Sequence, residues 1–256
     1  MTTTVARRAP GPPVRLGRRE VDGRELMDDP ACDLAALRRT YDHFALVNRL
    51  VSGWSAIYRQ RIRPVLVANT RAGATTTLLD IGSGGGDVSR ALAARARSDR
   101  LRLAITAIDP DGRADDYARA QPDVPGLEFR RTASRALVEA GESFDLVVSN
   151  HVLHHLGPAD LEGLLHDSER LATRLVIHND IARGRVAYGA YAVATTGTFR
   201  GSFIHPDGLM SIRRSYRADE LAEAVTAAGA SPAWRVQSQW PFRLLATWDA
   251  REAHRA

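Results

Sequence analysis

The stretch that decides the fold is LLDIGSGGGDVSRAL, which runs from Leu78 to Leu92. An apolar run of strand type leads into four glycines within five positions, and a run of helical type follows. Glycine weakens both strands and helices, so its concentration here indicates a tight turn where a ligand approaches the backbone. We therefore expect a strand, a ligand-binding turn and a helix in this order.

The same alternation of strand and helix continues along the chain. Apolar runs of strand type recur at TTLLDIG, LRLAITAID, LEFRRT, FDLVVSN and RLVIHND, with helical stretches between most of them. This spacing predicts parallel pairing in a doubly wound α/β sheet. Two later runs, AWRVQSQ and RLLATWDA, are separated by Trp240-Pro241 and predict an antiparallel pair.

The sequence divides into three parts with a long insertion in the last. Residues 1–30 are rich in proline, glycine and arginine and predict a mobile basic tail. Residues 31–72 have helical periodicity and predict an N-terminal helical cap, and residues 73–256 make up the α/β domain. Within that domain, residues 181–215 are too long for an ordinary connection and predict a lid.

Composition narrows the function classes. The single cysteine, Cys32, excludes an intramolecular disulfide and a cysteine-based zinc cluster. All 35 residues counted as Lys+Arg are arginine, so a Walker-type phosphate loop and a lysine Schiff base are excluded. Much of the excess of arginine over acidic residues falls in the tail, and acidic and basic residues nearly cancel in the rest of the chain. We therefore predict no nucleic-acid partner. The absence of a long apolar run and of a secretory-type start predicts a cytoplasmic protein, monomeric or homodimeric, without a membrane span.

Two ligands compete for the glycine-rich turn. A dinucleotide favours G-x-G-x-x-G, but reading from Gly82 through Gly84 puts Asp87 at the third glycine position, where a carboxylate would repel a pyrophosphate. S-adenosylmethionine has no phosphate and carries a sulfonium and an α-ammonium, for which acidic residues are favourable. The second strand ends at Asp109, where a carboxylate can bind the ribose hydroxyls, with Asp111 as an adjacent alternative. The sequence therefore favours S-adenosylmethionine as cofactor.

Several of these motifs together resemble those of a known family. LLDIGSGGGDVSRAL, AIDPD and FDLVVSNHVLHHL resemble, in order and spacing, the cofactor motifs of class I S-adenosylmethionine-dependent methyltransferases. Upstream, YDHFALVNRLVSGWSAIYRQRI is similar to the N-terminal helices of the ubiquinone/menaquinone methyltransferase group. The resemblance implies a Rossmann-like, seven-stranded methyltransferase sheet with an antiparallel C-terminal strand pair.

The resemblance also implies the residues that bind the cofactor. Asp80, Gly82 and Gly84 would hold its methionine and central part, and Asp109 its ribose. Pro110 would pack on the adenine, with Ala133 and Ser134 at the adenine edge. Asn150 would close the site at the end of strand four, and Tyr41 would cover the cofactor from the N-terminal helices.

The candidate catalytic residues are histidines, because a hydroxyl acceptor benefits from a base whose pKa is near neutrality. His154 and His155 follow strand four at the ligand end, and each is either a base or substrate contact or a packing residue. His178 ends strand five together with Asp180, as a second acid–base pair or as a cap of the next segment. A metal site made of His151, His154 and His155 is disfavoured, and no metal is predicted.

The side chains of the predicted lid indicate the chemical class of the methyl acceptor. Its aromatic and other bulky side chains suit a lipophilic or aromatic molecule, or pack the insertion onto the core; they are Tyr188, Tyr191, Phe199, Phe203, His205 and Met210. Arg213 and Arg214 either neutralise an anionic acceptor or are solvated. We expect methyl transfer, by preference to oxygen, to a small aromatic, quinone-like or polyketide-like molecule of secondary or quinone-type metabolism. The alternatives are carbon methylation of a similar acceptor, an RNA or protein methyltransferase, and a nicotinamide-dependent oxidoreductase.

Overall fold

The structure is a computed structural model that describes residues 16–253. Its strands are β1 (Thr76–Ile81), β2 (Leu103–Ile108), β3 (Leu127–Arg130), β4 (Phe144–Asn150), β5 (Ala172–Ile181), β6 (Arg235–Gln239) and β7 (Arg243–Asp249). Its α-helices are α1 (Leu34–Val51), α2 (Trp54–Ile57), α3 (Arg63–Arg71), α4 (Asp87–Ser98), α5 (Gly112–Arg119), α6 (Ser134–Glu139), α7 (Pro158–Leu171), α8 (Arg185–Thr195), α9 (Ile204–Arg214), α10 (Ala218–Ala227) and α11 (Ala250–Ala253).

The seven strands form one sheet in the order β3-β2-β1-β4-β5-β7-β6. Strands β1 to β5 pair in parallel, whereas β7 runs antiparallel to both β5 and β6. This arrangement confirms the predicted doubly wound sheet and its antiparallel C-terminal pair. The strand order reverses between β1 and β4, and ligands of open α/β sheets bind at the strand ends beside such a reversal.

Both faces of the sheet are buried, which is why its central strands are almost wholly apolar. Successive residues of a strand point to opposite faces, so Leu78 and Leu79 belong to different cores. Leu78 packs with Ile57 of α2 and Leu92 of α4, while Leu79 packs with Leu165 of α7 on the other face. The two cores hold the strand ends, and hence the glycine-rich turn, in a fixed position.

The N-terminal cap consists of α1, α2 and α3, and a π-helical turn at Tyr58–Ile62 joins the last two. Helix α1 begins after Asp33, whose carboxylate accepts hydrogen bonds from the N–H groups of Ala35 and Ala36. Gly53 separates α1 from α2 with a left-handed φ of 73°. None of the helices within residues 16–253 is long and apolar enough to cross a membrane.

Residues 16–30 differ from the mobile tail expected from the sequence. Arg19 donates to the carbonyl oxygens of His154 and Leu156 and lies over the ring of Tyr216. The side chain of Glu25 is buried. These polar side chains find interior partners that composition does not reveal, so the segment packs on the domain. Residues 1–15, the rest of that tail, lie outside the described part of the chain.

Candidate functional site

A cavity of about 930 Å³ lies at the carboxyl ends of the parallel strands, between α1 and the pair α8 and α9. Its lining includes every residue for which the sequence predicts a cofactor contact: Tyr41, Asp80, Gly82, Gly84, Asp109, Pro110, Ala133, Ser134 and Asn150. The chain thus brings together residues that are more than a hundred positions apart. Their assignment to a cofactor is developed below as a proposal.

The glycine-rich turn requires glycine for two separate reasons. Gly84 has a left-handed φ of 52°, and a Cβ there would meet no protein atom within 4 Å. Because Gly84 lines the cavity, its bare backbone is open to a ligand. Gly86 has a φ of 78°, and a Cβ there would come within 2.5 Å of the Phe129 ring, so this glycine serves close packing.

Asp109 is held rigidly at the end of β2. Its Oδ2 accepts a hydrogen bond from the N–H of Gly84 at 2.9 Å, and its Oδ1 accepts one from the N–H of Asp111 at 2.9 Å. Burial raises the pKa of Asp109, although these two hydrogen bonds oppose the shift. Asp111, the adjacent alternative, instead forms an ion pair with Arg113 at 2.7 Å. Asp109 is therefore the better placed of the two to bind a pair of hydroxyl groups.

Two further carboxylates line the same side of the cavity. Burial raises the pKa of Asp80 to about 7, although the hydroxyl of Ser89 donates to it at 2.5 Å. Burial also raises the pKa of Asp87, which accepts from Nδ2 of Asn48 at 2.9 Å. The Oδ1 atom of Asn48 is buried and has no hydrogen-bond partner among the described residues.

These acids have no cationic partner in the described part of the chain, since no arginine or histidine nitrogen there lies within 4.0 Å of Asp80, Asp87 or Asp109. A buried carboxylate without a cation is costly. This side of the cavity is thus suited to a positively charged ligand.

The remaining predicted cofactor residues surround these acids. The ring of Tyr41 lies 4.9 Å from that of Tyr117 and next to Gly85, so it covers the glycine-rich turn. Ser134 begins α6 and donates its hydroxyl to Asp167 at 2.8 Å. Pro110 follows Asp109 on the cavity wall.

His154 is unsuited to the role of base. Its Nδ1 lies 2.7 Å from Oδ1 of Asp180, and its Nε2 lies 3.3 Å from Oε1 of Glu25. Burial alone would lower the pKa of His154, but these two carboxylates outweigh it and raise the pKa to about 9. An imidazolium cannot accept a proton, and His154 is absent from the cavity lining. Its position indicates a buried ion triad.

His155 does reach the cavity. Its side chain is 30% exposed and lines the wall beside α9. Its Nδ1 lies 3.3 Å from Oδ2 of Asp28, and its Nε2 lies 3.7 Å from Oε1 of Glu25. Asp28 therefore orients the ring through Nδ1, whereas the distance from Nε2 to Glu25 is too long for a hydrogen bond and leaves Nε2 able to act on a ligand.

The structure places His178 away from the cavity, contrary to the expected acid–base role. Strand β5 continues to Ile181, so His178 lies three residues inside the strand. Its ring nitrogens lie 2.7 Å from the hydroxyl of Ser149 and 3.2 Å from that of Ser168, and the ring stacks on Trp234. Burial lowers the pKa of His178 to about 3. This neutral histidine packs the core.

Glu25, His154 and His155 offer ligand atoms within 4.8 Å of one another, a spacing that could hold a metal ion. The cluster already contains positive charge, however. His154 is protonated, and the guanidinium of Arg214 lies 3.9 Å from Oε1 of Glu25 and 3.2 Å from Oδ2 of Asp28. The carboxylates are therefore balanced within the protein, and the cluster does not require an ion.

The lid residues divide into two groups. Tyr191 and Phe203 line the cavity, with Ala187, Ala190 and Ala194 along α8 beside them. The others face elsewhere; they are Tyr188, Phe199, His205 and Met210. Arg213 and Arg214, left open between an anionic acceptor and solvent, instead pair within the protein, Arg213 with Glu20 at 2.7 Å and Arg214 with Asp28.

Sequence reasoning missed several residues of this site. Glu25 and Asp28 fall in a segment whose composition resembles a tail, and no spacing signal marks them. Arg243 at the start of β7 also lines the cavity and is only 2% exposed. A charged residue opening an otherwise apolar strand, RLLATWDA, was the available signal for it.

Comparison with known proteins agrees with this fold. A family model described as "Methyltransferase domain" matches residues 79–174, which run from β1 into β5. Residues 79–174 therefore belong to a methyltransferase domain.

Among curated proteins, the chain is similar to ubiquinone biosynthesis O-methyltransferases. It is 30% identical to that of Brucella anthropi over 154 residues, which are 59% of this chain and 58% of the relative. It is also 30% identical to that of Ruegeria pomeroyi over 158 residues, 60% of each chain. The match thus spans about three fifths of the length of these relatives.

Among solved structures, the plantazolicin methyltransferase BpumL in complex with a monoazolic desmethylPZN analog and SAH superimposes with a TM-score of 0.52. The two chains are 13% identical, and the match covers 83% of this chain and 94% of the other. At this identity the likeness concerns the fold alone.

Proposed function

We propose that this protein transfers the methyl group of S-adenosylmethionine to a hydroxyl oxygen of a small aromatic, quinone-like or polyketide-like acceptor. The observation that carries the proposal is the composition of one cavity. Unpaired carboxylates line one side, apolar lid residues line another, and His155 stands on the wall with Asp28 behind it.

The acidic side fits the cofactor. Asp80, Asp87 and the unpartnered Oδ1 of Asn48 suit an α-ammonium and a sulfonium, while Asp109 keeps lone pairs for two ribose hydroxyls. When bound, S-adenosylmethionine supplies a methyl group that its sulfonium already activates. The protein's main contribution is then to position donor and acceptor, which alone can account for many orders of magnitude in rate.

The apolar side fits the acceptor. Tyr191 and Phe203 contribute aromatic rings, while the alanines of α8 keep the wall flat and Ile204 and Ile212 add aliphatic surface. The hydroxyl of Tyr191 donates to the carbonyl of Ile204 and so stays with the protein. Planar apolar molecules are accommodated by such a surface, with polar groups confined to the histidine wall.

His155 is the candidate base. Asp28 would orient the ring through Nδ1, and Nε2 would accept the proton that the acceptor hydroxyl loses on methylation. The methyl–sulfur bond breaks in the same transfer, and neutral S-adenosylhomocysteine is the leaving group. General bases of this kind contribute about 10²–10⁴ in rate. His154 acts only indirectly, because its imidazolium, outside the cavity lining, pairs with both Glu25 and Asp180. The supporting similarity is the O-methyltransferase name of the curated relatives.

The first experiment is calorimetry with S-adenosylhomocysteine and with NAD(H). The proposal expects micromolar or tighter binding of the former and none of the latter, whereas the reverse would favour an oxidoreductase. Wild type is then incubated with methyl-labelled S-adenosylmethionine and an extract of the source organism, with Asp109→Ala as control. Label in the organic phase supports a lipophilic acceptor, and label in protein or RNA contradicts it.

A further inference from the structure

Arg243 is a buried cation without an anionic partner. Its Nε donates to Oδ1 of Asn179 at 3.1 Å, its Nη1 to Nε2 of His151 at 2.6 Å, and its Nη2 to Oδ1 of Asn150 at 3.2 Å. All three acceptors are neutral, and no carboxylate of residues 16–253 lies within 4.0 Å of the guanidinium. Two of its five N–H groups remain without a partner in these bonds.

These contacts determine which way Asn150 faces. Its Oδ1 also accepts from Nε1 of Trp54 at 3.0 Å and from Nδ2 of Asn179 at 3.0 Å. Tryptophan and arginine can only donate, so the oxygen of Asn150 must point toward them. Its Nδ2 consequently points the other way. The side-chain hydrogen bonds of Asn150 with the described residues all involve Oδ1 and none involves Nδ2, and Asn150 lines the cavity.

The same logic assigns the tautomer of His151. Because a guanidinium cannot accept a hydrogen bond, Nε2 of His151 accepts and Nδ1 carries the proton. Burial and the charge of Arg243 lower the pKa of His151, so the ring stays neutral. His151 lines the cavity with a left-handed φ of 62°, a conformation that non-glycine residues adopt at some energetic cost and often at functional sites.

The surroundings leave the charge of Arg243 largely uncompensated. Burial lowers its pKa to about 10, which keeps it cationic at neutral pH, and the carboxylate that most opposes this shift is Asp180. That carboxylate is already engaged by the imidazolium of His154 at 2.7 Å. A buried guanidinium is costly unless an anion approaches it.

We propose that Asn150, His151 and Arg243 form a binding site for a carboxylate of the ligand. The carboxylate comes either from the methionyl part of the cofactor or from an acidic group on the acceptor. The inference rests on the proposed function and names the ligand chemistry of that same cavity. It also accounts for a donor set that lines the same cavity as the three unpaired acids, since a zwitterionic ligand needs both.

The test compares S-adenosylhomocysteine with 5′-methylthioadenosine, which lacks the amino and carboxylate groups. Arg243→Met removes the charge, and Arg235→Met on the neighbouring strand, whose side chain is 62% exposed, is the matched control. Calorimetry is run on each, with circular dichroism to verify folding. If Arg243→Met fails to fold, His151→Gly replaces it, because glycine adopts the left-handed φ without strain and has no side-chain donor.

If the cofactor supplies the carboxylate, Arg243→Met weakens S-adenosylhomocysteine binding by about tenfold to a hundredfold and leaves methylthioadenosine unchanged. If the acceptor supplies it, both affinities stay the same, and salicylate binds the S-adenosylhomocysteine complex of wild type but not of the variant. Unchanged binding of all three probes overturns the inference. Failure of wild type to bind S-adenosylhomocysteine would instead refute the proposed function.

Discussion

The two sides of the cavity are built in opposite ways. The acidic side consists of Asp80, Asp87 and Asp109, which lie within 30 positions of one another along β1, α4 and β2. The basic side joins Asn150 and His151, at the end of β4 and directly after it, to Arg243, more than 90 positions later on β7. One side is a local motif, whereas the other exists only because β5 and β7 pair in antiparallel register.

The two sides are suited to groups of opposite charge. Carboxylates without cations on one side and a cation without carboxylates on the other suit a ligand that is itself charged at both ends. His155 belongs to neither side, since it stands beside the lid where the acceptor would lie. Substitutions can therefore be designed that affect one side and leave the other unchanged.

The largest effect is expected for His155→Ala. Loss of the base should lower the rate of methyl transfer by about 10²–10⁴, while affinity for S-adenosylhomocysteine stays at the wild-type value. The measurement is transfer of label to the extracted acceptor alongside calorimetry. His166→Ala, a half-exposed histidine on α7, is the control. If His155→Ala lost affinity for S-adenosylhomocysteine as well as rate, His155 would contribute to cofactor binding, and this prediction would be wrong.

Asp109→Ala tests whether the acidic side binds a part of the cofactor that S-adenosylhomocysteine and methylthioadenosine share. Loss of charge-assisted hydrogen bonds to the ribose should cost about 1–3 kcal/mol of binding free energy. Because both ligands carry the ribose, S-adenosylhomocysteine and methylthioadenosine should weaken alike, unlike in Arg243→Met. Asp116→Ala on the exposed side of α5 should change neither affinity. If the two ligands lost unequal amounts of binding free energy, Asp109 would not be the residue that binds the ribose.

The pH dependence tests Asp80. Its pKa of about 7 in the free protein means that the α-ammonium group of a ligand binds best once the carboxylate is ionised. Affinity for S-adenosylhomocysteine should rise by about tenfold from pH 6 to pH 8, and Asp80→Asn should remove this rise. Stability of the free protein has the opposite sign. The folded state holds this proton more tightly than the unfolded state, so Asp80 favours folding less as pH rises from 3.8 to about 7.

The smallest effect is expected for alanine substitutions at two glycines of the same backbone conformation, which should differ only in cofactor affinity. Gly84 and Gly73 both have left-handed φ values, and a Cβ at either would meet no protein atom within 4 Å. Alanine should therefore cost each about 1 kcal/mol of unfolding free energy, measured by denaturation. Only Gly84→Ala should weaken cofactor binding, because only that methyl group would enter the cavity. Equal affinities in the two variants would place the ligand away from the turn.

The parts of the fold that depend on local pattern were predictable. Alternating strands and helices, the glycine-rich turn and the late strand pair all follow from hydrophobic period and turn residues, and the sheet confirms them. The cavity lining also gathers every predicted cofactor residue. His178 shows the limit, because a strand that extends to Ile181 turns an expected site residue into a core residue.

By itself, the sequence determined the sheet, its carboxyl edge and the acidic turn, because those features arise from neighbours in the chain. Only the tertiary structure decided that Glu25 would hold His154 as an imidazolium, that Asp28 would orient His155, and that Arg243 would be buried without a carboxylate. Charge and proton affinity in a cavity depend on groups brought together from distant segments. Such distances are set by packing, and no local pattern encodes them.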